Sequence, residues 1–314
     1  MEREVVDAPA VSPPVASIVV PHLNTPDLLG RCLSSVMAQA LDSGAFEVIV
    51  VDNGSTVSLD AVRASFPSVR FLLEPQPGPG LARNRGAAAA GAPVLAFIDA
   101  DCRAAPGWLQ AAVDAVTVDP ARTVVGGDIR VDAVDPARMT GMEAFESVFG
   151  FRQRMYIETK HFSVTANLAM GRAVLDAVGP FGGIDIAEDL DWGRRAWALG
   201  YRTRFEPAMQ VWHPARPDFA SMARKWQRLI AHERRAHVAS GAAAWRWRLR
   251  AAALVASVPV EALKLLTSPL VTGVGNRARG IAALARIRAY RAAEMLRAAG
   301  PGAPADAMAW NRTP

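Results

Sequence analysis

Residues 94–98, Val-Leu-Ala-Phe-Ile, are apolar at every position, whereas a strand with one wet face would alternate. The run predicts a strand covered on both sides, and it stops at Asp99-Ala100-Asp101. Residues 16–20, 46–51 and 69–73 predict three earlier strands, the second of them also buried. Between the first two, Leu28, Cys32, Leu33 and Val36 recur at helical spacing, with Thr25 or Asp27 available as the cap. Residues 81–92 read as a shorter helix before the fourth strand. Further on, residues 124–131 predict a strand whose Gly126 and Gly127 permit close backbone approach. Leu190, Arg194, Trp197 and Ala198 set the period of a helix that Gly200 ends, and residues 209–212 make a short strand. Strand and helix alternating at this rhythm predict an α/β fold with a doubly wound, mostly parallel sheet.

Composition adds an ample core, since 51% of the 314 residues are hydrophobic. The two cysteines, Cys32 and Cys102, lie among apolar or small residues, which favours a reducing compartment over a disulfide framework. Residues 1–14 are acidic, carry prolines and lack an apolar core, arguing for a flexible tail and against a secretory signal. The net charge of +5 conceals a split. Residues 1–215 hold 18 Lys and Arg against 25 Asp and Glu, whereas residues 216–297 hold 16 against 4. The expected organisation is a domain over 15–215, a basic helical region over 216–298 and a tail over 299–314. The basic region points to an anionic partner, either nucleic acid or a membrane surface.

In open α/β sheets ligands sit outside the carboxyl ends of the strands, which is where Asp99 and Asp101 emerge. Two hard oxygen ligands can hold Mg²⁺ or Mn²⁺, with a nucleotide diphosphate completing the shell. The same two residues can instead cap the turn before Pro106. Asp52 ends the second strand, and Asn53-Gly54 supplies a turn. The glycines at 78 and 80 do not form a dinucleotide fingerprint, because they follow the third strand and Arg83 stands where the third glycine belongs.

Taken in order, Pro21-His22-Leu23-Asn24, the Asp-Asn-Gly-Ser-Thr at 52–56, the Gly-Leu-Ala-Arg-Asn-Arg-Gly at 80–86 and the Phe-Ile-Asp-Ala-Asp-Cys at 97–102 resemble the family 2 glycosyltransferases. The resemblance runs from about residue 17 to 213. It implies a GT-A fold and transfer of a sugar, with inversion, from a nucleotide-diphosphate donor, a UDP-sugar foremost, to a saccharide or lipid-linked acceptor of the cell envelope. It also implies site roles. Asp52 would bond the nucleobase, which Pro21, His22 and Asn24 line through backbone groups, while Arg83 and Asn84 lie beside the nucleotide. Asp101 would bind a divalent cation, Mn²⁺ or Mg²⁺, with Asp99 nearer the ribose and His213 completing the shell. Asn167 would point toward donor sugar and acceptor, and Asp189 would take the acceptor proton with Glu188 in support. Leu23 departs from the family's usual aromatic. Read alone, Asp52 is also a turn cap, Asn167 a turn or edge-strand residue, and His213 a loop histidine. Glu188 and Asp189 are also helix-start acids that favour the dipole by about 0.3–1 kcal/mol each.

In the C-terminal region Trp226, Leu229, Ile230, Trp245, Trp247 and Leu249 are interleaved with Arg and Lys, as in helices lying in a bilayer interface. Its uncharged runs fall short of the ~20 residues a span requires. Peripheral contact with the inner face of the cell membrane is expected, and a packed helical subdomain is the alternative. No nucleic-acid motif accompanies the basic residues, so nucleic acid is not an expected partner. Two other functions stay open. A nucleotidyltransferase would need a Gly-rich loop where residues 21–26 stand, and a non-catalytic binding module would bind donor without turnover.

Overall fold

The computed structural model describes residues 13–184 and 186–298. Apart from Pro13 and Pro14, the expected tails over 1–14 and 299–314 lie outside the described residues. The chain forms two compact units, one built from residues up to 129 with 153–212, the other from 130–152 with 213 onward. Residues 130–152, which the sequence pattern attaches to the first domain, thus belong to the second unit.

The sheet contains eight strands: β1 (Ala16–His22), β2 (Phe46–Asp52), β3 (Arg70–Leu73), β4 (Val94–Ile98), β5 (Arg103–Ala104), β6 (Val124–Asp132), β7 (Asn167–Gly171) and β8 (Thr203–Pro214). Their order is β3-β2-β1-β4-β7-β6-β8-β5. β1 pairs in parallel with β2 and β4, and β2 with β3. β7 runs antiparallel to both β4 and β6, as does β5 to β8. The expected mostly parallel sheet is therefore a mixed one. The local pattern in the first hundred residues reveals βα units, but the direction in which β7 returns after the long excursion from β4 has no local signature. Every residue of β1 and β4 is buried, as their apolar runs require.

The helix Pro26–Met37 opens on proline, and the Thr25 side chain makes no capping bond. Proline at the first position has no N–H to satisfy, which reduces the need for a cap. The buried face is Leu29, Cys32, Leu33 and Val36, so Leu29 replaces the expected Leu28. In the helix Glu188–Ala198 the buried residues are Trp192, Gly193 and Ala196, not the expected period on Leu190, Arg194, Trp197 and Ala198. Trp192 packs with Phe97 and Phe181 in the main core. Trp197 instead stacks on His161 at 3.5 Å with the Arg202 guanidinium 3.6 Å from its ring. A cation and an imidazole thus cover an aromatic ring outside the core.

Beside β7, Asn167 is fully buried; its amide donates to the carbonyls of Asp128 and Met209 at 2.8 Å, and its oxygen accepts from the Trp108 indole at 2.9 Å. A Cβ on Gly127 would stand 1.9 Å from Met209 O and 2.4 Å from Asn167 Nδ2, so the close approach expected of this glycine is real.

The second unit gathers the helices Gly141–Phe149, Phe219–Ala239, Ala244–Ala256, Val258–Thr267 and Val274–Arg297. Phe145, Met222, Leu265, Leu284 and Ile287 form one core, and Ile230, Trp247 and Met295 a second. Three of the expected interfacial residues are thus packed inside: Trp247 and Ile230 are buried, and Trp226 is half-buried under Arg291 at 3.5 Å. Among the described residues no helix is long and apolar enough to cross a membrane.

Candidate active site

The ends of β1 and β2 place a polar group at the rim of the parallel half. Ser55 is its hub. Its backbone N–H and hydroxyl both donate to Asp52 Oδ1, at 3.0 and 2.5 Å, and its hydroxyl accepts from Asn24 N–H at 2.9 Å. His22, 2% exposed, accepts from Thr25 N–H at Nε2 and lies 3.6 Å from Asp52 through Nδ1. The first bond places the neutral ring's proton on Nδ1, facing the carboxylate. Burial works to raise Asp52, but the bonds from His22 and Ser55 outweigh it and hold the carboxyl below its ordinary range. Asp52 is thus a turn cap in this structure, and every bond just described falls on Oδ1. Asn24 adopts a left-handed backbone (φ 56°) with Oδ1 accepting from Thr56 N–H at 2.7 Å. Its Nδ2 is buried without a partner.

Two residues of this motif have no assigned role in the sequence pattern, Ser55 and Asn53, the latter 3% exposed and clamping the next loop. Its amide donates to Glu74 O and Gln76 O, and its oxygen accepts from Gly78 N–H. Asn53-Gly54 reads locally as a turn, and nothing in the spacing points to a partner more than twenty residues on.

The second part of the site is built around Arg83, which is 3% exposed on the helix Pro79–Ala89. Its guanidinium donates to Asp99 Oδ1 at 2.6 Å and to Glu188 Oε1 at 2.9 Å, tying the end of β4 to the start of the helix Glu188–Ala198. Asn84, expected beside the nucleotide, instead makes two 2.9 Å bonds with the backbone N–H and carbonyl of Phe181. That corrects its role: its amide is spent on a loop clamp. Gly80 completes the clamp, since a Cβ there would meet Gly182 O at 2.1 Å.

Asp189 follows Glu188 and accepts at Oδ1 from Leu190 N–H at 2.7 Å. Burial, and next the Glu188 charge, push its carboxyl up to about 6 against the pull of the Leu190 bond and Arg83. The two acids therefore differ in kind: Glu188 is held by a cation, and Asp189 is poised to exchange a proton near neutrality.

The expected metal ligands divide differently. Asp99 and Asp101 lie just past β4, whereas His213 belongs to the second unit. His213 Nδ1 donates to Pro214 O at 2.6 Å, which makes Nε2 the basic nitrogen. Among the described residues no three His, Cys, Asp or Glu side chains are grouped to hold a metal ion. Since Arg83 occupies Asp99 Oδ1, the carboxylates fit a hard cation only together with phosphate oxygens. The neighbouring thiols of Cys32 and Cys102 are pushed up by burial, then by Asp101 and Asp99, so they stay protonated and are poor ligands. Asn167 also requires correction. In a central strand, with its amide spent inside the sheet, it is neither an edge-strand residue nor available to a sugar.

A mixed sheet with an acidic site at the ends of its parallel strands is the arrangement of the GT-A fold. Residues 17–179 match the family described as glycosyl transferase family 2, and the chain belongs to it. Over 221 residues it is 31% identical to the glycosyltransferase AglE of Haloferax volcanii, covering 68% of this chain and 70% of that one. It is 30% identical over 220 residues to the pre-mycofactocin glycosyltransferase of Mycobacterium tuberculosis, covering 67% of this chain but only 44% of that protein. The mannosyltransferase PcManGT of Pyrobaculum calidifontis, solved with GDP-Man and Mn²⁺, superposes with a TM-score of 0.56 at 22% identity, covering 91% of this chain and 89% of that one.

Proposed function

We propose that the protein transfers a sugar from a nucleotide-diphosphate donor to a hydroxyl of a saccharide or lipid-linked acceptor, with inversion at the anomeric carbon, in the synthesis of an envelope polysaccharide. The observation that carries this reading is the unequal pair at residues 188 and 189. With Glu188 bonded to Arg83, Asp189 is the carboxylate left to take the acceptor proton. A group titrating at about 6 is mostly ionised at pH 7 yet remains basic enough to work as a general base. The acceptor oxygen then bonds the anomeric carbon from the side opposite the leaving group. The bond to the diphosphate oxygen breaks with its electron pair, and the acceptor proton rests on Asp189. Asp52 and the Asn24 amide would bond the nucleobase, and Arg83 holds Asp99 in place. Asp101 would hold a divalent cation, which when bound would supply neutralising charge at the departing diphosphate. PcManGT holds GDP-Man and Mn²⁺, so GDP-sugars belong in the donor panel beside UDP-sugars.

The test is donor turnover with Asp189→Asn. Donor binding should persist while kcat falls about 10²–10⁴-fold. The wild-type kcat should rise with pH through about 6, because the base must be ionised, and EDTA should stop transfer. Undiminished turnover by a folded Asp189→Asn variant would reduce Asp189 to a helix-start residue.

We infer further that the protein works in the cytoplasm, peripherally on the inner face of the membrane. Supporting this are the basic excess of residues 216–297 and the exposed Val260, Leu263, Leu266, Leu270 and Val274.

A further inference from the structure

The second unit holds a group of cations that its carboxylates do not match. Glu146, 2% exposed, is committed to Arg216, which gives it a backbone N–H at 2.7 Å and a guanidinium N–H. Lys225, on the helix Phe219–Ala239, has its ammonium 5.9 Å from the centre of the Phe151 ring and 6.0 Å from that of Trp226. Burial and then the Arg216 charge push this ammonium down to about 8, with Arg228 and Arg291 adding to the repulsion and Glu146 alone opposing it. Arg228 is likewise lowered by burial, then by Arg216 and Arg224. Among the described residues neither Lys225 nor Arg228 has a hydrogen-bond or ion-pair partner. Two buried donors lack an acceptor, Trp226 Nε1 and Nε of the Arg291 that lies over that indole.

Orphaned donors and crowded like charges each oppose folding. A single occupant relieves both: an anion with several acceptor oxygens. Arg216, Lys225 and Arg228 against Glu146 leave an excess of two positive charges, which matches a phosphate better than a carboxylate. We propose that Arg216, Lys225 and Arg228 form a binding site for a phosphate-bearing ligand, a phosphate monoester or diphosphate, with Phe151 and Trp226 as apolar walls beside it. The ligand's phosphate can be lipid-borne or soluble. The proposal does not rest on sugar transfer, because its occupancy is read without donor.

Calorimetry of the full chain with inorganic pyrophosphate, in EDTA so that no cation recruits it to Asp101, tests the site directly. Binding should be saturable and weaker at high salt. Lys225→Met with Arg228→Gln should lose affinity by roughly tenfold or more, Lys225→Arg should keep most of it, and Arg246→Gln with Arg248→Gln, both exposed, should leave it unchanged. Melting curves without ligand check folding, and if the double variant melts early, Lys225→Gln alone is scored the same way. No binding, or equal binding by wild type and the folded Lys225 variants, overturns the proposal. Co-sedimentation with phosphatidic acid vesicles separates the sources. Sedimentation that pyrophosphate abolishes assigns the site to a lipid phosphate, and pyrophosphate binding without such competition assigns it to a soluble one.

Discussion

Arg83 governs the proton chemistry of the acidic site. It is buried, donates to Asp99 and Glu188, and its charge opposes the rise that burial and Glu188 impose on Asp189. Removing that charge moves the Asp189 carboxyl further up, so the base ionises only at higher pH. For Arg83→Gln the acid limb of the kcat profile should therefore shift above about 6, and an unmoved limb would show that Asp189 does not set it. Stability should fall as well, by roughly 3 kcal/mol or less. Breaking a buried ion pair costs ~3–5 kcal/mol, and the partly exposed partners, Asp99 at 32% and Glu188 at 20%, reduce that. Arg83→Lys should restore charge but not both bonds, because an ammonium lacks the fork that spans two carboxylates. At this scale the Arg83 motif was legible as a site element. The resemblance already implied Asp189 as the proton acceptor with Glu188 in support, but the cation that Glu188 holds was not legible, because Arg83 lies 105 residues away along the chain.

At the scale of elements, the antiparallel half of the sheet depends on one side chain and one absent side chain. Asn167 satisfies the Trp108 indole and two carbonyls, and Gly127 allows the backbone near Met209 to come close enough to be reached. Asn167→Ala orphans all three groups and should lower stability by about 3 kcal/mol or more, since each buried unmade bond costs ~1–3 kcal/mol. Gly127→Ala should cost a comparable amount by forcing the strands apart. Chemical denaturation of both variants is the check, and wild-type midpoints would remove Asn167 from the framework. The glycines at 126 and 127 announced a close approach in the sequence. What approaches them comes from residues 157, 163, 167 and 209, and no local pattern joins those positions to the glycines.

For the whole molecule, the question is where the chain works. The exposed apolar side chains of the second unit are only in part those that a reading of tryptophans beside arginines selects: Trp245 and Leu249 are 60% and 59% exposed. Trp247 and Ile230 fill its core, while Val260, Leu263 and Leu266 are 64%, 58% and 45% exposed. Attraction to an anionic leaflet is worth about 1 kcal/mol per well-placed basic residue, and apolar side chains deepen the attachment. Val260→Ser, Leu263→Ser and Leu266→Ser together should preserve folding and reduce co-sedimentation with anionic vesicles, most clearly at high salt where screening leaves the apolar contribution dominant. Equal sedimentation by the triple variant and the wild type, or none by either at low salt, would end the membrane reading.

By itself the sequence determined the features whose physics is local. An apolar run such as 94–98 has to be buried on both faces, and a carboxylate after it must emerge at the strand's end, so the parallel half and the positions of Asp52, Asp99 and Asp101 were readable in advance. The ordered motifs likewise marked the family. Tertiary structure alone decided the rest. It turned β7 antiparallel, took residues 130–152 into the second unit, put Trp192 rather than Trp197 in the core, and spent Asn84 and Asn167 on internal bonds. In each case a residue's partner lies far along the chain. The side chain's chemistry permits several partners, and only packing, which brings distant groups together and excludes water from them, selects one.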